Sequence, residues 1–364
     1  MNVSFPVNEM IKVFQVLGPV IPSRSTRPIL THVLINVDKR MRVMATDLEI
    51  AIEHYVEGVD GQDKGQLVIP ANRLSAICHE FQNKSITMET QDRSLSLRCE
   101  TSQYKLPMER SEDFPEISFK AKKIGAIPLD LFKQMIKKTI FATATERSRF
   151  AINGVHITCQ QGILKITATD GRRLAHATTK VPGGLSDFTA IIPPRALSLL
   201  MKADVADTSV NVEMDENQVV FHLKDMSIMA RLITGRFPDY ESVIPKSNKN
   251  TLKIGKGDFE GLIRKAALVT SEESKSVKLS LSQGKISASA KTQVHGESMV
   301  SMDTDYKGQS LDIRFNPSYL IDGLKACDGK DVVFTMKDSN SAASLSEDGK
   351  DGYCYVVTPI NIVS

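Results

Sequence analysis

The chain has 364 residues, with 46 Lys and Arg against 43 Asp and Glu for a net charge of +3. So even a balance excludes a long basic tail as the means of gripping nucleic acid, and no run of residues approaches the ~18 apolar positions of a membrane span. The five cysteines (Cys78, Cys99, Cys159, Cys327, Cys354) are odd in number and never spaced CxxC. With no leader-like pattern in MNVSFPVNEM, the expectation is a soluble, cytoplasmic protein with reduced thiols.

In chain order, Val7, Met10, Ile11, Phe14 and Leu17 fall on one helical face, with Asn8 as a candidate cap. Period-two patterning at Val33, Ile35 and Val37 predicts a half-buried strand, and VMATDLEIAI follows with Thr46 and Asp47. Pro70 opens a second helix, PANRLSAICHEF, and Leu95, Leu97 and Cys99 mark another strand. After a polar seam from Lys120 to Gly125, Pro128 and Asp130 introduce a helix with Leu129, Phe132, Ile136 and Ile140 on one face. GVHITCQQGILKITATD predicts a hairpin turning at Gln160-Gln161-Gly162. Asp170-Gly171 then forms a turn expected to present Arg172 and Arg173, and Pro193 opens the next helix. Beyond a second seam, Lys246 to Asn250, the order recurs. Asp258, Phe259, Leu262, Ile263 and Ala266 read as a helix, Val277, Leu279 and Leu281 as a strand with a turn at 282–285, and Asn316-Pro317 opens a last helix.

The recurrence is metric. Asp47 and Asp170 lie 123 residues apart, as do Leu74, Leu197 and Leu320 in succession, and Phe114-Pro115 and Phe237-Pro238. A third, weaker copy of the Thr-Asp segment is ISASAKTQV around Ser289. Repeats of roughly 120 residues can each bury a core. Three domains are therefore expected, 1–122, 123–246 and 247–364, of α+β class with two helices on antiparallel sheet in each.

Enzyme signatures do not emerge. There is no HExxH, no Cys/His cluster at metal spacing and no GxSxG, and Gly255, Gly257 and Gly261 in GKGDFEG read as a turn before a helix. Asp47 and Asp170 have no base beside them and read as carboxylates serving strand-end amides. No catalytic residue, metal ligand or cofactor is expected.

ATDGRRLA (168 to 175), GRFPDYESVIP (235 to 245) and YVVTPI (355 to 360) carry a more specific signal, joined by SRSTRPIL (23 to 30), YKLPMERSEDFP (104 to 115) and FAING (150 to 154). In these motifs, in register along its whole length, the chain resembles the bacterial sliding DNA clamp, the beta subunit of the replicative polymerase. The resemblance implies three tandem copies of the clamp (processivity) fold. It also implies two chains joined head to tail into a six-domain ring that encircles duplex DNA regardless of sequence and tethers the polymerase. Implied partners are double-stranded DNA, the replicative polymerase, a clamp loader, repair or replication proteins with clamp-binding peptides, and a second copy of the chain, but no membrane.

Carried over residue by residue, the partner-peptide cleft between the second and third domains comprises Arg149, Ile152, Thr169, Gly171, Arg172, Arg173, Leu174, Pro238, Val243, Val356, Val357, Thr358, Pro359 and Ile360. Ser242 departs from the arginine common in the family, Thr358 from a larger apolar residue, and Asn361 to Ser364 extend past the usual end. The six helical windows hold ten basic and six acidic residues. The DNA-facing set is Arg73, Lys133, Lys137, Lys138, Arg195 and Lys202, with Arg24 from a loop where the family carries an arginine. Leu268 and Val269 match dimer-interface positions, whereas Thr101 and Gln103 stand where the facing strand is often apolar. The alternative reading is a repeat scaffold that binds partner peptides without being loaded on DNA.

Overall fold

The computed structural model describes residues 1–61, 63–146, 150–203, 206–245, 250–271, 275–349 and 351–360. Within them one order of elements occurs three times. The first pass runs β1 (Asn2–Pro6), α1 (Val7–Leu17), β2 (His32–Val37), β3 (Met41–Thr46), β4 (Ile50–Val56), β5 (Gly65–Pro70), α2 (Ala71–Glu80), β6 (Ser85–Gln91), β7 (Ser94–Cys99) and β8 (Ser102–Pro107). The second runs β9 (Lys122–Pro128), α3 (Leu129–Lys137), β10 (Val155–Gln160), β11 (Ile163–Thr169), β12 (Arg173–Lys180), β13 (Phe188–Ile192), α4 (Pro194–Lys202), β14 (Ser209–Met214), β15 (Gln218–His222) and β16 (Met226–Arg231). The third runs β17 (Asn250–Gly255), α5 (Lys256–Ala266), β18 (Val277–Ser282), β19 (Lys285–Thr292), β20 (Gly296–Asp303), β21 (Leu311–Phe315), α6 (Pro317–Ala326), β22 (Asp331–Met336), β23 (Ala343–Glu347) and β24 (Tyr353–Val357). A strand's counterpart in the next repeat is thus numbered eight higher.

The ladders explain why the repeats do not stand apart. Each repeat splits its strands into two groups of four, and a group from one repeat joins a group from the next. One eight-stranded sheet runs β5-β2-β3-β4-β16-β15-β14-β9 and another β13-β10-β11-β12-β24-β23-β22-β17. Accordingly, the compact units are Met1–Asp130 with Arg195–Leu232, and Leu131–Pro194 with Ile233–Ser364, cutting the middle repeat in two. The leftover groups form four-stranded sheets, β1-β6-β7-β8 in the first unit and β20-β19-β18-β21 in the second.

The helices pack as their periodicity demands. Val7, Met10, Val13, Phe14 and Leu17 of α1 are buried, as are Leu74, Leu197 and Leu320, the leucines repeating at 123. At about 1.5–3 kcal/mol per fully buried leucine, this spacing is a strong constraint on each core. The caps differ from expectation. Asn8 does not cap α1, whose N-cap Pro6 has no side-chain bond. Its amide instead donates to Asn83 Oδ1 (2.7 Å) and accepts from Asn83 N (3.0 Å), holding a residue with φ of +63° just past α2. Asp258 also makes no cap bond to the start of α5. Asn316 does cap α6, accepting from Ser318 N at 3.0 Å. The polar stretch 120–125 is no free linker, since from Lys122 onward it is β9, bonded to β14 across a bulge. Most of the second seam, Lys246 to Lys249, lies outside the described residues.

Candidate partner and nucleic-acid interfaces

The Thr-Asp segments close two hairpins in the same way. Thr46 Oγ1 donates to Ile50 O (2.9 Å) and accepts from Leu48 N, while Asp47 Oδ1 accepts from Glu49 N (3.0 Å) and Ile50 N (2.8 Å). In the second repeat Thr169 Oγ1 donates to Arg173 O (2.6 Å) and accepts from Gly171 N, and Asp170 Oδ1 accepts from Arg172 N (2.9 Å) and Arg173 N (3.0 Å). The residue after the aspartate has positive φ in both, +78° at Leu48 and +84° at Gly171, a conformation glycine adopts without strain. These carboxylates are spent on backbone amides and on the guanidiniums of Arg195 and Arg173.

The turn at 170–173 presents one guanidinium rather than the two expected. Arg172 is exposed. Arg173 points inward, donating to Asp170 Oδ2 (3.0 Å), Asp322 Oδ2 (2.6 Å) and Phe141 O (3.0 Å), with Tyr319 beneath it at 4.4 Å. Burial is the largest single influence and works against its charge, but the bonds to Asp322 and Asp170 together with the neighbouring Tyr355 and Asp170 oxygens outweigh it and raise its pKa. It ties the turn to α6 and is unavailable to a partner.

Across the β12–β24 ladder Leu174 faces Val356. Both are buried with Tyr240, and Phe237, Ile244, Ala342 and Cys354 pack around them. Under this loop His156 stacks on Phe237 (4.7 Å between centroids), while His176 lies 5.3 Å from Tyr240 and 2.8 Å from Thr167 Oγ1. Burial, helped by Lys165, pulls the His176 pKa down to about 4, and burial also lowers that of His156. Both rings are therefore neutral at pH 7. Past β24 the chain returns over the turn, where Thr358 N and Oγ1 both donate to Arg172 O (2.9 and 2.8 Å) and Ile360 N donates to Arg314 O.

Of the fourteen expected cleft residues, Arg149 lies outside the described residues. Thr169, Leu174, Val356 and Val357 are buried foundations. Ile152, Pro238 and Pro359 are half-buried, as is the inward-pointing Arg173. Gly171, Arg172, Val243, Thr358 and Ile360 form the accessible rim, with Val243 52% and Ile360 37% exposed. Sequence reasoning missed His156, His176, Phe237, Tyr240, Ile244, Ala342 and Cys354. The FPDY segment was a usable signal for two of them, since an aromatic three residues after Phe237 can share its apolar support.

Among the expected DNA-facing residues, Arg24, Arg73, Lys137 and Lys202 are exposed and Lys133 is half-buried. Arg195 is exposed but engaged, its guanidinium donating to the Asp47 carboxylate and to Pro19 O. Lys138 requires a correction. It donates to Glu347 Oε1 (2.6 Å) and sits 3.0 Å from Asp328 Oδ2, with its side chain 13% exposed and that of Glu347 2%. Burial alone would lower the Lys138 pKa, but the two carboxylates outweigh it and raise the value. Its charge is neutralised inside the fold and is withdrawn from the DNA-facing set.

The expected dimer-interface positions sit beside a strand that ends its sheet among the described residues. Leu268 is 78% exposed and Val269 half-buried, next to β20, whose outer edge is unpaired. Met299 on β20 is 78% exposed and Tyr104 on β8, the last strand of the first unit's four-stranded sheet, 37%. Among the described residues no group of three or more His, Cys, Asp and Glu could hold a metal ion, and no helix is long and apolar enough to cross a membrane.

Comparison with known proteins agrees with this architecture. Residues 1–118, 126–239 and 241–361 match, in order, the N-terminal, central and C-terminal domains of the DNA polymerase III beta subunit. The beta sliding clamp of Haemophilus influenzae is 28% identical over 372 aligned positions, covering both chains fully. The crystal structure of the Pseudomonas aeruginosa clamp bound to griselimycin superposes with a TM-score of 0.94 at 26% identity over both full chains. That of the Bacillus subtilis clamp does so with a TM-score of 0.94 at 26% identity, over 100% of this chain and 99% of that one. Three tandem clamp domains without catalytic chemistry place the chain in one family: it belongs to the DNA polymerase III beta subunits, the sliding clamps.

Proposed function

We propose that two copies of this chain join head to tail into a ring that encircles duplex DNA and tethers the replicative polymerase and other partners. The domains would be 1–122, 123–246 and 247–364. One observation carries the reading. Strand β4 is joined to β16 and β12 to β24, whereas their counterparts β20 and β8 are free. A free edge is a template for pairing, and a second copy supplies the missing strand in a closed, two-fold arrangement.

The registers within the chain support one for the proposed pairing. Ala51 faces Met229 and Leu174 faces Val356, so Glu297 faces Lys105 of the second copy, an opposite-charge pair, and Met299 faces its Gln103. Phe141, in the turn that follows α3 and twelve positions after its first residue, meets Tyr355 at 5.8 Å. The counterparts at the free edges are Leu268 and Tyr104, both exposed.

Arg24, Arg73, Lys133, Lys137, Arg195 and Lys202 would supply the inner lining, attracting phosphates without reading bases. The rim Gly171, Arg172, Val243, Thr358 and Ile360, over its buried floor, suits an extended peptide with apolar anchors. The deciding experiment loads the protein onto nicked circular DNA with a compatible clamp loader, isolates the complex and linearises the circle. Release on cutting is expected, and retention on linear DNA would refute encirclement. Reversing charge at Lys137 and Lys202 should impair retention while peptide binding persists. Griselimycin, the ligand of the Pseudomonas aeruginosa clamp, is a direct probe for a shared ligand site.

A further inference from the structure

The floor of the proposed cleft has a twin in the first unit. Ala51 and Met229 face one another across β4 and β16 as Leu174 and Val356 do across β12 and β24. Each pair lies beside a Thr-Asp turn, and each is crossed by a segment beginning Phe-Pro, at 114 and at 237. One chain therefore carries two grooves of the same construction, and they differ in what covers them.

In the first, Phe114 and Phe119 are buried on the floor with Leu34, Met44, Val68, Val220 and Met229, and Ile117 packs alongside. Counted from the Phe-Pro pair, the counterpart of Phe119 is Ser242, which is exposed and donates only to Asp239 O (3.0 Å). Lys120, exposed in the first segment, corresponds to Val243, an apolar side chain left 52% exposed in the second. The floors diverge in step. Leu34 and Met44 pair with each other in the first sheet, and in the second their places are taken by His156 and Thr167. An apolar floor accepts a phenylalanine ring from its own chain, whereas a floor with imidazole and hydroxyl groups to satisfy offers that ring less.

From this we infer that Phe119 is a specificity-determining residue, an internal occupant that seals the first groove and confines partner peptides to the second, which Ser242 leaves open. The inference rests on the peptide-cleft reading given above. Its consequence is one peptide site per chain although the fold builds two grooves. Removing the ring and the charge outside it exposes an apolar floor, able to take the leucine or phenylalanine anchors of an extended peptide.

The test uses the full-length protein and a fluorescein-labelled hexapeptide with leucine and phenylalanine anchors, titrated by calorimetry and anisotropy. Wild type should bind one peptide per chain, and Phe119→Ser with Lys120→Val should bind two. In a Val243→Asp background, which should itself bind none, the same pair of changes should restore one. Ser242→Phe, a change at an exposed position that leaves the melting temperature unaltered, should weaken peptide binding more than 20-fold, while Ser242→Thr should not. A folded Phe119→Ser, Lys120→Val protein that still binds one peptide overturns the inference, as does undiminished affinity in Ser242→Phe. Absence of peptide binding to wild type would instead remove the cleft reading beneath it.

Discussion

Truncating Leu268 to alanine tests the proposed dimer with a side chain the isolated chain hardly uses. Leu268 is 78% exposed, so its removal should cost the monomer fold less than about 0.5 kcal/mol. In the dimer its side chain would be covered by Tyr104, as Phe141 is by Tyr355. Full burial of a leucine is worth about 1.5–3 kcal/mol. Scaling by the part that is open and by what alanine retains leaves roughly 1.5 kcal/mol per seam. A head-to-tail dimer has two seams, so L268A should lose about 3 kcal/mol of association energy, or on the order of 100-fold in Kd. Sedimentation equilibrium across a concentration series reads this directly, with thermal melting as the fold control. A dimer constant within threefold of wild type, with the fold intact, would show that Leu268 does not lie in the interface and that the register carried to β20 and β8 is wrong.

Three other outcomes follow from the same geometry. Reversing either member of the proposed Lys105–Glu297 pair should weaken the dimer about tenfold through the two seams, and K105E with E297K should recover most of it; failure of the double variant to recover in sedimentation would deny that the two residues face each other. Glu347→Gln should cost about 3 kcal/mol in denaturant unfolding, because Lys138 would remain buried with its main partner gone. Burial is the largest single influence and favours the protonated Glu347, but the Lys138 bond and charge and the Asp328 backbone amide together outweigh it and lower its pKa, so the pair's contribution is present above the unfolded carboxylate pKa and is lost as pH falls through the depressed folded value. His176 acts as a base depressed to about 4. Below about pH 6.5 the unfolded chain takes up a proton that the folded chain refuses, so stability should fall by as much as about 3 kcal/mol between pH 6.5 and 4. H176Q should flatten that slope, and an unchanged slope would move the effect to another group.

The threefold plan was legible because its marks are local. Leu74, Leu197 and Leu320 are helix core positions, and the Thr-Asp segments close hairpins with their own side chains, so both survive as spacing in one dimension. What joins the repeats was not legible. The pairing of β4 with β16 links residues about 175 apart, and nothing in IAIEHYV names MSIMAR as its neighbour. Lys138 shows the same limit for charges. By pattern it was one more lysine on a basic helix, and only the approach of Glu347 from 209 residues away turned it from a candidate phosphate contact into a buried tie. Arg173 misled similarly: the sequence predicts a turn after Asp170, but which of two adjacent guanidiniums points out depends on Asp322, brought there by α6.

The weakness of the third Thr-Asp copy, visible in the bare sequence, acquires a physical meaning from the two strong ones. In the first unit Asp47 is held by Arg195, and in the second Asp170 is held by Arg173, which also grips Asp322. Each aspartate ties its hairpin to a cation beside a junction that the chain itself makes. At the third hairpin Thr292 still bonds locally, donating to Val269 O and accepting from His295 N (both 3.0 Å), but Gln293 follows it instead of an aspartate, and Gly296 stands where Arg173 stands in the second repeat. The ion pair of that hairpin is an exposed one, Lys291 with Glu297 at 3.0 Å, in place of an aspartate held by a guanidinium. That hairpin borders β20, the edge that the proposed dimer would pair with another copy. Junctions within a chain can be fixed permanently, whereas a ring threaded by DNA must open somewhere. In the proposed dimer, a seam held by Leu268, Tyr104 and an exposed Lys105–Glu297 pair, with no counterpart of Arg195 or Arg173, would be the junction that costs least to separate.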